Sequence, residues 1–211
     1  MKQLNKVLPI AVLSLGAVVA HSAVVFHFSD VYTGDIPDGE APFATVTITD
    51  VAMDTVRLRL DHNATSGEGQ FLTQLNLNLT SIPDSIMFTN YENEHKFALP
   101  ITYGNDFFVD AGLKFDMKMQ FQVSNAGGGV NRLKPGEYVS VDMTASGLNE
   151  NWFIAYATPA GDNKPVLSML HLQGISDGGS SKLEGVPEPA TLTALGIGLA
   201  AFFKRRKKES V

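Results

Sequence analysis

Residues 113–123 read LKFDMKMQFQV and alternate without a break. Leu113, Phe115, Met117, Met119, Phe121 and Val123 fall on one side, and Lys114, Asp116, Lys118, Gln120 and Gln122 on the other. A period of two marks a strand with one buried and one wet face, whereas a packed helix needs apolar residues at a period of 3.6. FLTQLNLNLT (residues 71–80) repeats the pattern through Leu75, Leu77 and Leu79 against Gln74, Asn76, Asn78 and Thr80. Further strands are predicted at residues 24–28, 44–49, 55–60, 137–143, 152–157 and 166–172. Turn signals separate them: Gly34, Pro37 with Gly39, Gly67 and Gly69, residues 127–129, Pro135 with Gly136, and Gly161. Many short strands without a long helical segment predict an all-β chain, an antiparallel β-sandwich or jelly-roll-like domain over residues 24–175.

The two ends have a different character. Residues 1–23, MKQLNKVLPIAVLSLGAVVAHSA, place Lys2 and Lys6 before an apolar stretch from Val7 to Ala20, followed by small residues. This is the layout of a secretory signal peptide, with cleavage expected between His21 and Val24 by a signal peptidase. At the other end, the uncharged run 190–203 meets five consecutive basic residues, Lys204, Arg205, Arg206, Lys207 and Lys208. A membrane span needs about 20 apolar residues, so the run is short, but the basic cluster resists translocation and gives it an orientation. The expected sequence of events is export, brief arrest in the inner membrane on an apolar helix, and a body left outside. Residues 176–185, SDGGSSKLEG, are expected as a flexible polar tether between body and tail.

Between tether and tail stand Val186, Pro187, Glu188, Pro189, Ala190 and Thr191. Each proline fixes φ and biases its predecessor toward extended backbone, which presents an open peptide. Taken with the apolar run and the basic cluster, residues 186–211 resemble the PEP-CTERM sorting signal of exopolysaccharide-producing Gram-negative bacteria. The resemblance implies recognition at Pro187, Glu188 and Pro189 by an exosortase, a membrane-embedded transpeptidase-like enzyme. It also implies final placement at the cell surface or in the extracellular matrix, with an exopolysaccharide or biofilm context. The body is similar, more loosely, to other PEP-CTERM proteins of unassigned activity, through residues 115–121, the glycine loop with Pro135, Gly136 and Glu137 before 139–143, and residues 171–179.

Composition narrows what the body does. Residues 24–185 carry nine Lys and Arg against twenty Asp and Glu, so the body repels phosphate backbones and nucleic acid is not an expected partner. With no cysteine, disulfides, thiolate metal sites and a cysteine nucleophile are excluded together. Gly174-Ile175-Ser176-Asp177-Gly178 fits G-x-S-x-G, but a nucleophile elbow needs a following helix and a downstream histidine, and none follows His171. His27, His62, His95 and His171 show no ligand spacing. The expectation is therefore a protein that is not an enzyme and needs no cofactor. Two ligand hypotheses stay open. Asp30, Asp35, Asp38 and Glu40 crowd one loop with the oxygen donors that calcium takes, though without an EF-hand spacing. Trp152 and Tyr156, aligned with Ile154 on a predicted strand face, and Asn76 and Asn78 on a polar face, offer the ring surfaces and amides that a carbohydrate-binding module uses.

Overall fold

A computed structural model describes residues 23–188; Pro189, the apolar run 190–203, the basic residues 204–208 and the signal peptide up to residue 22 lie outside the described residues. Among the described residues eleven strands follow in chain order: β1 (Ala23–Gly34), β2 (Ala44–Ala52), β3 (Thr55–His62), β4 (Phe71–Leu77), β5 (Met87–Glu92), β6 (Thr102–Asp110), β7 (Leu113–Gln120), β8 (Tyr138–Thr144), β9 (Thr158–Pro159), β10 (Ser168–Ile175) and β11 (Gly179–Pro187). They pair antiparallel in the order β5-β8-β3-β2-β1-β11-β10-β4-β7-β6, with β9 beside β7.

This continuous sheet folds over on itself. Inward side chains of one half of the order, among them Phe26, Phe28, Ile48, Leu58, Leu60 and Val141, share one core with Leu75, Leu77, Met119, Leu170 and Leu172 of the other half. Two antiparallel layers packed face to face around one core form an all-β sandwich. The pair β1–β11 joins the layers through the main chain. On the open side the two end strands meet through side chains: the Phe88 and Tyr103 rings lie 6.1 Å apart, and the Ile86 N–H donates to the Tyr103 hydroxyl at 2.7 Å.

The alternation in β7 is real but serves two cores. Met117 and Met119 point into the main core, while Leu113 and Phe115 join Ala157, Val166 and Met169 in a second apolar cluster. The turn end of the β6–β7 hairpin bends across the outer face of the β4-β10-β11 layer. Buried Asp116 ties this bend, accepting from Leu79 N–H at 3.0 Å and Asp106 N–H at 2.8 Å. Asp110 then lies over the same face, where Gln74 Nε2 and Asn76 Nδ2 each donate to it at 3.0 Å and Lys182 Nζ contacts its other oxygen. Val123, predicted on the core face, lies past the end of β7 and is exposed.

Two further expectations need correction. Residues 152–157 are not a strand. Asn149 accepts from Asn151 N–H at 3.1 Å and caps a 3₁₀ turn, Glu150–Phe153, which buries Phe153 and leaves Trp152 and Ile154 part-buried against the core. Residues 176–185 are not a flexible tether, and the folded body does not stop at residue 175. A 3₁₀ turn, Ser176–Gly178, leads into β11, which sits between β1 and β10 and buries Ser181, Leu183 and Gly185. Gly185 is a packing requirement: a Cβ there would come within 1.9 Å of Ser168 Oγ and 3.0 Å of the Phe28 ring.

Candidate functional site

The described chain enters at the start of β1 and leaves at the end of β11. These neighbours run antiparallel, with Phe26 opposite Pro187 and His27 opposite Val186, so entry and exit lie side by side at one end of the sheet. The last rung is well held. Glu188 N–H donates to Val25 O at 3.1 Å, and His27 Nε2 lies 2.6 Å from Glu188 Oε1. The opposite ring nitrogen of His27 is 3.4 Å from Thr45 Oγ1, which braces the imidazole from β2. Both side chains of the pair are about one-third exposed, at 35% for His27 and 39% for Glu188. Beside this rung Tyr156, Pro165, Val166, Val186 and Pro187 line a hollow of about 170 Å³.

Residues 185–208 match the family model of the PEP-CTERM protein-sorting motif. The chain carries a PEP-CTERM sorting motif. No curated protein and no solved structure matches the chain. The PEP-CTERM match overlaps the fold at Gly185, Val186 and Pro187, which are the final residues of a central strand. Such a motif implies an exosortase as processing partner, with export to the cell surface or extracellular space. Pro187 and Glu188 sit on the sheet, whereas Pro189 and the membrane stop, Lys204, Arg205, Arg206, Lys207 and Lys208, lie outside the described residues. Among the described residues no helix is long and apolar enough to cross a membrane. His27, on β1, is a partner of Glu188 that the sequence does not announce. The two are 161 positions apart, and no sequence spacing links them.

The ligand candidates scatter over the molecule. Asn76 is buried to 1% exposure beneath the β6–β7 hairpin and donates to Asp110; Asn78 is buried too and donates to Leu167 O at 3.2 Å. Neither lies on an open polar face. Trp152 and Tyr156 do not share a strand face, because the 3₁₀ turn separates their directions. Tyr156 is 68% exposed beside the sorting rung, while Trp152 lines a different hollow with Ile82, Pro83, Asp84, Ser85 and Ser146.

The acidic loop is similarly dispersed. Asp30 belongs to β1, opposite Glu184, and Glu40 bonds through its main chain to Thr65 O. The Asp35 carboxylate accepts from Ser180 N–H at 3.3 Å. Asp38 accepts from the N–H and hydroxyl of Ser176, each at 2.9 Å, and from Gln70 Nε2; these bonds hold its carboxyl below the usual range. Asp38 thus fastens the loop to the turn before β11, and Asp35 fastens it to the start of β11 itself. Among the described residues no group of three His, Cys, Asp or Glu is placed to hold a metal ion. Ser176, of the G-x-S-x-G match, donates its hydroxyl to Asp38 in a 3₁₀ turn between two strands rather than at a strand-to-helix elbow. His62 is buried, donates from Nδ1 to Leu133 O at 3.0 Å, and burial pulls its pKa down to about 4.

Proposed function

We propose that this is a non-enzymatic surface or extracellular-matrix protein, sorted by an exosortase and acting in exopolysaccharide or biofilm assembly. One observation carries the reading: the PEP-CTERM motif begins within the central strand β11, next to the strand that starts where the signal peptide is expected to end. A body whose entry and exit share one end suits export with both ends held at the same membrane, followed by release. Intact mass of the protein recovered from cells with and without a functional exosortase tests it. The mature species is expected to begin between His21 and Val24 and to end near residues 187–189 only when the exosortase is present. Retention of Lys204 to Lys208 in both backgrounds rejects the sorting role and leaves an ordinary membrane anchor.

A second reading, a carbohydrate-binding module, is favoured by the hollow at Trp152. It holds about 350 Å³ and sets an indole beside Asp84, Ser85 and Ser146, which combines an apolar ring face with hydroxyl and carboxylate partners. Trp152 is the sole tryptophan, so its fluorescence reports on that hollow alone. Saturable quenching by the producer's own polysaccharide, abolished in Asp84→Ala, is the expected result. An emission spectrum unchanged by the polysaccharide removes this reading.

A further inference from the structure

Pro187 and Pro189 have no N–H, so the N–H of Glu188 is the only main-chain donor between Val186 and Ala190. In the folded body that donor is taken by Val25 O, and the carboxylate between the two prolines is taken by His27. Pro187 contributes no donor to its own rung opposite Phe26, so the end of β11 depends on Glu188 for its closure. The groups that distinguish this peptide from any other extended segment are thus already engaged by β1. An enzyme that binds the motif as an open peptide must first detach them.

We propose that His27 and Val25 form a latch on the sorting motif, so that the folded body and the processing exosortase compete for Glu188. The proposal rests on the reading of the motif as an exosortase substrate. His27 is a positioning residue here: it sets how often the last rung opens, and Thr45 keeps its ring aimed at the carboxylate. Residues 181–185 stay paired on both sides by β1 and β10, so opening is confined to the end of the strand. The same geometry places the cut beyond Pro187. Cleavage inside β11 would take residues from the middle of the sheet.

The test follows conversion of full-length precursor to mature protein in exosortase-containing cells, for wild type, His27→Ala and His27→Gln. Loss of a part-exposed pair changes an opening equilibrium by about two- to fivefold. His27→Ala is expected to be processed faster by that factor, and His27→Gln, whose amide still donates to the carboxylate, to stay near the wild-type rate. Equal or slower processing of His27→Ala overturns the latch. Hydrogen exchange on the full-length precursor from exosortase-deficient cells gives a readout independent of the enzyme. Faster exchange of the Glu188 amide alone supports the latch; unchanged exchange, or a loss spread along β1 and β11, overturns it by showing a dispensable or a merely structural histidine. If no variant is processed in either background, the sorting role has failed, and the exchange data still decide whether His27 closes the rung.

Discussion

Strands β7 and β11 are both paired along two edges in the same sheet, yet they are built from opposite materials. β7 buries Leu113, Phe115, Met117 and Met119, whereas β11 buries one large side chain, Leu183, flanked by Ser181 and Gly185. β7 fills the core with its own side chains. β11 is thin, and the space above it is filled by Phe26 and Phe28 of β1 and by Leu170 and Leu172 of β10, all fully buried. A strand in the middle of a sheet therefore needs main-chain partners on both edges, but its own contribution to the core is set by what its neighbours already supply.

The most drastic way to break this comparison is to remove β11. A body ending at residue 178 leaves β1 and β10 with unpaired edges in the middle of the sandwich, and it is expected to lose its cooperative unfolding transition altogether. A body ending at residue 188 is expected to keep it. Circular dichroism melts of the two truncations distinguish the outcomes; a cooperative melt for the shorter body would show that β11 is an accessory to the fold.

Point substitutions sharpen the comparison at the next scale. Met119→Ala and Leu183→Ala each empty a fully buried site, and each is expected to cost about 2–5 kcal/mol in denaturant unfolding. Comparable losses would mean that the thin strand relies on its single large residue as heavily as β7 relies on each of its several. A loss below about 1 kcal/mol for Leu183→Ala would instead assign the burial of β11 wholly to its neighbours. Gly185→Val tests the other half of the idea, since its side chain has no room between Ser168 and Phe28, and overpacking of this kind typically costs about 1–3 kcal/mol.

The same contrast explains how much was legible in the sequence. β7 and β4 advertise themselves through large apolar residues at a period of two, and β1, β2, β3, β8 and β10 do so through shorter runs. β11 carries the period as well, with Lys182 and Glu184 facing out, but serine and glycine at inward positions look like linker composition when the neighbours are unseen. Edge strands β5 and β6 were missed because one partner each and irregular register leave no clean alternation; Phe107 and Val109 of β6 are apolar and exposed. Residues 152–157 had the alternation and lacked the strand, since the cap at Asn149 outweighed it. The sorting motif was legible as a string, but its attachment to the fold was not, because His27, Val25 and Glu188 meet only through the β1–β11 register.

If packing holds both strands, acid should act elsewhere, and His62 is the place. Burial lowers it from 6.5 to about 4, so the folded protein keeps the ring neutral while the unfolded chain takes up a proton through that window. Stability is then complete above pH 6.5 and is lost as the pH falls toward 4, by roughly 3 kcal/mol in total. His171, also lowered by burial, acts in the same direction. Unfolding free energies at pH 7 and pH 5 are expected to differ by roughly 2 kcal/mol in the wild type and by much less in His62→Gln. An undiminished difference in His62→Gln would move the acid-sensitive element away from β3 and weaken the claim that packing alone secures β7 and β11.

The smallest expected effect concerns a charged contact that ties β11 to the hairpin above it. Lys182 meets Asp110 on the outer face, with the lysine about one-quarter and the aspartate about one-tenth exposed. Removing the lysine does not strand the carboxylate, because Gln74 and Asn76 both still donate to its other oxygen. Lys182→Met keeps the aliphatic stem on the sheet and discards only the charge. Its cost is expected to stay under about 1 kcal/mol, as for other pairs with access to water, and to shrink further as salt is added to the wild type. A cost approaching that of Leu183→Ala would reverse the comparison. It would mean that the thin strand is secured from above by charge, and that its single leucine is a consequence of that anchoring rather than its cause.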